Sequence, residues 1–421
     1  MTRAAAVVHA EGTALTPQQW ALRIRTELVG NILPFWPCYA LDRAGGGFFG
    51  EIGDDLTVRP KAPRASVVNT RILWTYATAA RLIGPEWGAL AEWAYDYVAT
   101  RFWDKDEGGL FWSVDYHGEP LEPRKQTYSQ AFGIYALSEY HRLTGDPKAL
   151  DLAQHLYRLI EEHCFDPVHQ GYIEARGRDW KPLADMRLSD KDLNSPKSMN
   201  THLHILEGYT NLLRVWPDAV LRARQKALIE IMLDRIVDSE TGHFKLFFDE
   251  RWNSLLDHVS FGHDIEGTWL VVEAAEVVGD ATLVARARAT ALKMAHVSLA
   301  EGLDDDGSMV FEADRQGRIL DATKHWWVQA ETVVGFYNAY QLSGDVAFAD
   351  AAQRAWVYIE NHVVDRVHGE WHAKLTREGV AVRESDDPDA VLVGPWKCPY
   401  HNARVCFEMI ERLGRSEKKS P

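Results

Sequence analysis

The sequence has few cysteines and no long apolar run. Its four cysteines are scattered, and their spacing matches neither a zinc-ligand pattern nor a redox pair. Thiols of this kind are typical of reduced, cytoplasmic proteins, so cytoplasmic is the location we expect. No stretch reaches the roughly 18 apolar residues of a membrane span, and residues 1–16 lack the apolar core of a signal peptide. We therefore expect no contact with a membrane.

Positive charge is also in deficit. The chain carries 61 acidic and 46 basic residues, a net charge of −15. Such a surface repels phosphate backbones, which argues against a nucleic-acid partner. No linker or low-complexity run interrupts the 421 residues, so we predict one domain over 1–421, with 1–15 and 415–421 as loose ends. No exposed apolar face can be recognised, and we expect a monomer or a weak homo-oligomer.

Tryptophan, in contrast, is abundant, with 16 residues. A large aromatic core accounts for many of them. Indole rings also offer the flat apolar faces and polar edges on which sugar rings stack. The composition therefore favours, without proving, a carbohydrate ligand.

A short segment recurs six times along the chain, each time as a glycine followed by large side chains. The copies lie 62, 62, 71, 65 and 62 residues apart, and they begin at Gly47, Gly109, Gly171, Gly242, Gly307 and Gly369. A period of this length indicates a repeat architecture. Each copy is predicted to form a small β-hairpin or irregular loop.

Two helical patterns lie between consecutive copies. We place them at 63–83 and 86–101, 126–144 and 147–163, 197–215 and 217–237, 262–278 and 280–299, and 324–343 and 346–363. A first helix begins at Thr16-Pro17 and a last one covers about 397–414. Twelve helices in six antiparallel pairs, with the first helix pairing with the last, predict an all-α (α/α)6 barrel with short β-hairpins between the pairs.

The helix that follows each hairpin begins with unusually polar or aromatic residues. In a closed ring these six starts surround one end of one cavity, and such a convergent set is typical of an acid–base site. The candidates are Asn69, Arg71, Tyr128, Gln130, Asn200, His204, His263, Glu266, Trp326, Trp396 and His401. His202, about 200° around the helix from Asn200, is predicted to point elsewhere and to be structural.

Histidine titrates near neutral pH, so one histidine can remove a proton and another can return it. His204, His263 and His401 would allow both steps on opposite faces of one substrate carbon. Arg71 could stabilise an enediolate oxyanion, and Glu266 could orient a neighbouring histidine. No metal-binding spacing is present, and we expect no metal and no cofactor.

Four motifs resemble the cellobiose 2-epimerases of the N-acylglucosamine 2-epimerase superfamily. They are Lys197-Ser-Met-Asn-Thr-His-Leu-His-Ile-Leu-Glu207, Phe261-Gly-His-Asp-Ile-Glu-Gly267, Trp326-Trp-Val-Gln-Ala-Glu331 and Trp396-Lys-Cys-Pro-Tyr-His401. The resemblance covers about residues 17–413 and implies an (α/α)6 barrel. The implied activity is reversible epimerisation at C2 of the reducing-end sugar of β-1,4-linked disaccharides such as cellobiose, mannobiose and lactose, through a cis-enediolate.

The resemblance also implies roles for single residues. His263 and His401 match the proton-transfer pair, and His204 matches the residue that assists ring opening. Arg71 matches the arginine that holds the enediolate oxygen. The remaining positions match residues around the substrate: Tyr128, Asn200 and Glu266 near the arginine, Trp326 and Trp396 against the sugar rings, and Asp192 as a substrate-contacting acid.

Other functions remain open. An aldose–ketose isomerase or a monosaccharide 2-epimerase would use the same enediolate. An inverting glycoside hydrolase would need two separated carboxylates, for which Asp264, Glu266 and Glu331 are available. A metal enzyme would have to use His263, Glu266 and His401. A non-catalytic helical scaffold would need none of the repeated polar positions.

Overall fold

A computed structural model describes residues 15–417, and its main elements are helices. In chain order they are α1 (Pro17–Glu27), α2 (Ser66–Leu82), α3 (Gly88–Tyr97), α4 (Thr127–Thr144), α5 (Pro147–Leu159), α6 (Met199–Val215), α7 (Ala219–Ile231), α8 (Phe261–Val278), α9 (Ala281–Glu301), α10 (Trp326–Ser343), α11 (Val346–Tyr358) and α12 (Tyr400–Glu417). The N-terminal helix continues through Leu28–Ile32, Leu33–Phe35 and Trp36–Ala40, where two π-helical segments flank a short α-helical one.

The even-numbered helices form an inner ring and the odd-numbered helices surround it. Each inner helix packs against the next, and α12 packs against both α2 and α1. Inner helices are buried on nearly all sides over most of their length, as in α4 from Thr127 to Tyr140. Outer helices bury one stripe, as α5 does with Ala149, Ala153 and Leu156. The predicted (α/α)6 barrel, including the pairing of the first helix with the last, is confirmed.

The six predicted hairpins are also present. All six repeat glycines have φ between +63° and +89°, a region that residues with a Cβ rarely adopt. The chain pairs across each glycine through an antiparallel bridge. The bridges are Leu41–Phe48, Trp103–Leu110, Phe165–Tyr172, Val237–Phe244, Leu303–Met309 and Val364–Trp371.

Short strands connect neighbouring repeats. They are β1 (Arg64–Ala65), β2 (Ser113–Val114), β3 (Pro120–Glu122), β4 (Lys125–Gln126), β5 (Ala175–Arg176), β6 (Lys197–Ser198), β7 (Phe247–Phe248), β8 (His258–Ser260), β9 (Glu312–Asp314), β10 (Ile319–Asp321), β11 (Lys324–His325) and β12 (Lys374–Leu375). The strand that leads into α2, α4, α6, α8 or α10 pairs antiparallel with a strand of the following hairpin. The bridge from Val393 back to Ile52 adds the sixth link and closes the circle.

Several predicted helix boundaries were wrong. The last helix begins at Tyr400, not near 397, because the chain around Pro395 and Pro399 stays extended or turned. Several outer helices end in a π-helical turn, as at Ile160–Cys164. Most of the predicted loose ends, 1–14 and 418–421, lie outside the described residues. The described part of these ends is ordered. The Leu15 backbone exchanges two hydrogen bonds with Gln353, and α12 continues to Glu417.

Among residues 15–417, no helix combines the length and apolar character needed to cross a membrane.

Candidate active site

A cavity of about 470 Å³ opens at the end of the barrel where the inner helices begin. All ten residues to which the family resemblance gives a role line this cavity. They are Arg71, Tyr128, Asp192, Asn200, His204, His263, Glu266, Trp326, Trp396 and His401. Six inner helices and two surface loops are needed to bring them together.

A repeated ion pair fixes the entry of the inner helices. A buried Lys or Arg just before the helix contacts an acidic residue of the preceding hairpin, as in Lys125–Asp104 at 3.0 Å and Lys197–Asp166 at 2.8 Å. Equivalent pairs are Arg64–Asp42, Lys324–Asp304 and Lys397–Glu370. Val259 takes this position before α8.

The seventh residue after each of these six positions lies in one layer at the cavity floor. The layer consists of Arg71, Phe132, His204, Glu266, Glu331 and Arg404. Its members contact one another: the Arg71 guanidinium lies 4.3 Å from the centre of the Phe132 ring, and that ring lies 4.7 Å from the ring of His204. Arg404 contacts Glu266 and Glu331.

Three cavity histidines have different partners. His204 Nδ1 donates to Glu207 at 2.9 Å, and His401 Nδ1 donates to Glu331 at 2.8 Å. His263 Nδ1 instead shares a hydrogen bond of 2.7 Å with the hydroxyl of Ser260.

His204 and His401 are buried and His263 is half-buried, and all three are neutral in the free protein because their pKa values are low. Burial lowers the pKa of His204 to about 4, against the opposing effect of Glu207. Burial, reinforced by the electrostatic effects of the nearby His204 and Arg71, lowers the pKa of His263 to about 3. The pKa of His401 is lowered well below its usual value by burial and by Arg404 and Arg71. Neutral imidazoles are ready to accept a proton.

The pKa of Glu266 is shifted upwards, in contrast to those of the histidines. Burial and the neighbouring carboxylate of Glu331 raise the pKa of Glu266 to about 8, even though Arg404 contacts it. Glu266 is therefore protonated near neutral pH. It can donate a hydrogen bond or a proton into the cavity.

Several polar atoms at the cavity have no protein partner within the described chain. They are Nε of Arg71, Oδ1 of Asn200, Nε2 of His325 and Nε1 of Trp326. The Arg71 Nη2 atom donates to the Tyr128 hydroxyl at 2.8 Å, which fixes the guanidinium. Buried donors and acceptors that lack partners match a ligand rich in hydroxyl groups.

Two loops form the rim. In the first, Asp192 accepts hydrogen bonds from the backbone and hydroxyl of Ser189 at 2.9 and 2.8 Å. The neighbouring Lys191 forms an ion pair with Asp389 of the second loop. Trp396 lies at the end of that second loop, with its ring 6.0 Å from the ring of Tyr128.

Several residues that support the site were given no role in it from the sequence, although three of them, Glu207, Trp327 and Glu331, lie within the quoted motifs. The ring of Trp327 lies 4.8 Å from His263 and 5.6 Å from His401, so it packs against both rings and restricts their orientation. Glu207, Glu331 and Arg404 form the buried support described above. The seven-residue spacing from the buried cation is the signal that could have identified Arg404.

Three other predictions had mixed outcomes. Gln130 was wrong as a cavity candidate, because its amide makes two hydrogen bonds to the Leu110 backbone of the hairpin. Asn69 does not line the cavity either, and its amide donates to the Ala65 carbonyl. His202 is confirmed as structural, since its Nε2 accepts from the Tyr172 backbone at 2.9 Å.

Ligand atoms of Glu266, Glu331 and His401 lie within 4.8 Å of one another, close enough to hold a metal ion. Nη2 of Arg404 contacts both carboxylates. The guanidinium thus supplies the positive charge that a metal would otherwise bring.

A second cavity, of about 700 Å³, lies at the other end of the inner helices. Its lining is rich in mutual ion pairs such as Arg81–Glu139 and Arg214–Glu273, both at 2.7 Å. Trp74, Tyr135, Trp269 and Phe407 form its aromatic inner wall.

Comparison with known proteins places this arrangement in a family. A family model described as N-acylglucosamine 2-epimerase (GlcNAc 2-epimerase) matches residues 47–391. The chain belongs to this family. The matched residues end before His401.

Members of the family with high similarity include the cellobiose 2-epimerase of Bacteroides fragilis, 46% identical over 92% of this chain and 97% of that protein. The cellobiose 2-epimerase of Dictyoglomus turgidum is 39% identical over the same shares. The solved structure of the cellobiose 2-epimerase from Bacillus thermoamylovorans superposes with a TM-score of 0.88 at 38% identity, covering 94% of this chain and all of that one.

Proposed function

We propose that this protein is an isomerase that reversibly epimerises C2 of the reducing-end sugar in β-1,4-linked disaccharides. The observation that carries the proposal is that His263 and His401 line one cavity and lie next to the same ring, that of Trp327, at 4.8 and 5.6 Å. The high identity to cellobiose 2-epimerases supports the same activity and a disaccharide substrate. A volume of about 470 Å³ is within the range of sites for ligands of this size.

The chemistry follows from the protonation states. After the sugar ring opens to the aldehyde, with His204 assisting, a neutral histidine takes the C2 proton and the electron pair forms a cis-enediolate. Arg71 faces the developing oxyanion. The second histidine returns a proton to the opposite face of C2. It must be protonated when it acts, and protonated Glu266, three residues from His263 on α8, is the acid available to supply it.

The first experiment is an NMR product analysis after incubation with cellobiose, mannobiose, lactose, glucose and mannose. We expect C2 epimers of the disaccharides, with deuterium at C2 when the reaction is run in heavy water. Turnover without deuterium at C2 would contradict proton exchange at that carbon. Products that are mainly ketoses would favour the aldose–ketose isomerase instead.

A glycoside hydrolase of the inverting type is disfavoured by geometry. Its two carboxyl groups stand about 6.5–9.5 Å apart to admit a water molecule. Carboxylate oxygens of Glu266 and Glu331 lie within 4.8 Å of each other and contact one guanidinium nitrogen. We expect the number of reducing ends to stay constant during the reaction.

The remaining predictions belong to the same proposal. We propose that the whole chain forms one catalytic domain, that it acts in the cytoplasm as a monomer or weak homo-oligomer, and that it needs no cofactor or metal. Cys38, Cys164, Cys398 and Cys406 are all unpaired thiols, which is compatible with a reducing compartment. Activity that survives a chelator would support the absence of a metal requirement.

A further inference from the structure

Arg404 lies beneath the cavity and contacts three carboxylates from three inner helices. Its Nη1 atom donates to Glu207, and its Nη2 atom donates to Glu266 and, at 2.7 Å, to Glu331. Its side chain is only 1% exposed, and it is not among the residues that line the cavity. Any influence of Arg404 on the reaction must therefore act through its neighbours.

Two of these carboxylates each hold a cavity histidine. Glu207 accepts from Nδ1 of His204 through its other oxygen, and Glu331 accepts from Nδ1 of His401. Because Nδ1 donates in both rings, Nε2 carries the lone pair that is free for the substrate. A continuous chain of hydrogen bonds thus runs His204–Glu207–Arg404–Glu331–His401.

The guanidinium is itself held in a fixed orientation. Its centre lies 4.3 Å from the centroid of the Tyr400 ring and 4.9 Å from that of Trp269. The Trp269 indole also donates to the second oxygen of Glu331 at 3.0 Å. The guanidinium is planar, has five N–H donors and is held between aromatic rings. It can therefore donate hydrogen bonds to three carboxylates at once, which a lysine ammonium cannot do with the same geometry.

Charge balance needs this cation. Burial opposes ionisation of Glu207, but Arg404, His204 and Tyr400 together hold its pKa at about 2. Three carboxylates share the guanidinium, and one of them, Glu266, keeps its proton near neutral pH. Removing the guanidinium would leave buried carboxylates uncompensated, and these would take up protons.

We propose that Arg404 is a positioning residue of the epimerase reaction: it fixes Glu207 and Glu331 behind His204 and His401 and couples the charge of the two histidines. When His401 accepts a proton, Glu331 stabilises the imidazolium and Arg404 limits that stabilisation, so that the proton can leave again. This inference rests on the proposed function.

The test compares Arg404→Lys with the wild type and with Arg412→Lys. Arg412 lies on the same helix, eight residues further, and lines the second cavity. We expect Arg404→Lys to lower kcat by about 10- to 100-fold, the range typical of groups that orient a reactive residue. KM should change by less than about threefold, since the guanidinium does not line the cavity, and the pH profile of kcat should shift. Arg412→Lys should retain kcat within about twofold.

Histidine NMR separates this inference from the proposed function, because it needs no turnover. In the wild type, His204 and His401, assigned with Gln variants, should show the tautomer protonated at Nδ1. In Arg404→Lys the titration midpoints of His204 and His401 should shift together.

Three results would overturn the proposal: unchanged kcat and pH profile in Arg404→Lys, a rise in KM alone, or Nε2-protonated rings in the wild type. If Arg404→Lys does not fold, Glu207→Gln replaces it. The His401 signal should then move although Glu207 does not touch His401, and an unmoved signal would count against the coupling. A wild type that makes no epimer but shows the coupled titrations would contradict the function alone.

Discussion

At the scale of single residues, the partner of each histidine decides its chemistry. His202, His204 and His401 are buried and His263 is half-buried, and removal from water lowers the pKa of each. They differ in what holds Nδ1: a backbone carbonyl for His202, a carboxylate for His204 and His401, and a hydroxyl for His263. A carboxylate behind Nδ1 stabilises the protonated ring, so His204 and His401 are better suited than His202 to hold a proton in transit.

The neighbouring histidines of α6 allow a matched comparison. Gln130 and Gln329 occupy the position of His202 in other repeats and bond to the hairpin backbone in the same place. We therefore expect His202→Gln to retain kcat within about twofold and to lower the melting temperature only slightly. His204→Gln should lower kcat by about 10²-fold or more, the typical effect of losing an acid–base group. Equal losses in both variants would contradict the assignment.

Glu266 should control the alkaline side of the activity profile. Its pKa of about 8, raised by burial and by Glu331, means that the proton it supplies is lost as pH rises through about 8. We expect kcat to fall above that pH, and Glu266→Gln to show a low kcat without this alkaline decline. Rates measured from pH 5.5 to 10 in both proteins are the test, and an unchanged decline in the variant would assign it to another group.

The raised pKa of Glu266 also makes the stability of the protein depend on pH. Its folded pKa lies above the ordinary value of 4.5, so the unfolded chain releases this proton first as pH rises. The contribution of Glu266 to the free energy of unfolding is therefore undiminished below about pH 4.5 and decreases between that pH and about 8. The difference in melting temperature between wild type and Glu266→Gln should change across this window.

At the scale of elements, the repeat explains what could be predicted. Glycines with positive φ must recur where the chain turns, so their spacing revealed six units before any contact was known. Polar and aromatic residues near the helix starts then identified nine of the ten predicted site residues that line the cavity, and the family resemblance added Asp192. The support beneath them could not be identified in this way, because Glu207 and Glu331 look like ordinary charged residues within helices.

Arg404 was missed for a related reason. The last helix begins at Tyr400, after a long irregular segment from about 376 to 399, so counting from the helix start gives the wrong register. Counting from the buried Lys397 places Arg404 in the layer of His204 and Glu266. The π-helical ends of outer helices depend on packing against the hairpins, and no local residue pattern predicts them.

The buried cation before five of the six inner helices is a structural element that can be tested. Lys197 is fully buried and donates to Asp166 at 2.8 Å and to two backbone carbonyls. Lys197→Met leaves Asp166 without its partner, and we expect the free energy of unfolding to fall by about 3–5 kcal/mol, as for other broken buried pairs. Urea denaturation measures this loss.

The control for this variant is Lys181→Met. Lys181 pairs with Asp179 on the surface, and its side chain is 79% exposed. Its loss should lower the free energy of unfolding by less than about 1 kcal/mol. Similar losses in the two variants would show that burial of the pair does not matter.

At the scale of the whole molecule, a closed ring behaves differently from an open stack of repeats. The seam between the first and last repeats is tied by Glu370, which accepts hydrogen bonds from Trp36 at 3.2 Å and from Asn402 at 2.8 Å and pairs with Lys397. In an open solenoid, damage at a terminal contact frays only the terminal repeats. In a closed ring, every repeat depends on the seam.

Glu370→Gln should therefore weaken the ring on the side opposite the mutation. The substitution removes the charge that compensates buried Lys397, and a loss of about 3–5 kcal/mol in the free energy of unfolding is expected. Hydrogen exchange is the measurement, because it reports the opening free energy of each helix separately. We expect amides of α6, three repeats from the seam, to lose as much protection as those of α1 and α12. Faster exchange confined to α1 and α12 would mean that the repeats unfold as an open array and that the seam adds no cooperativity.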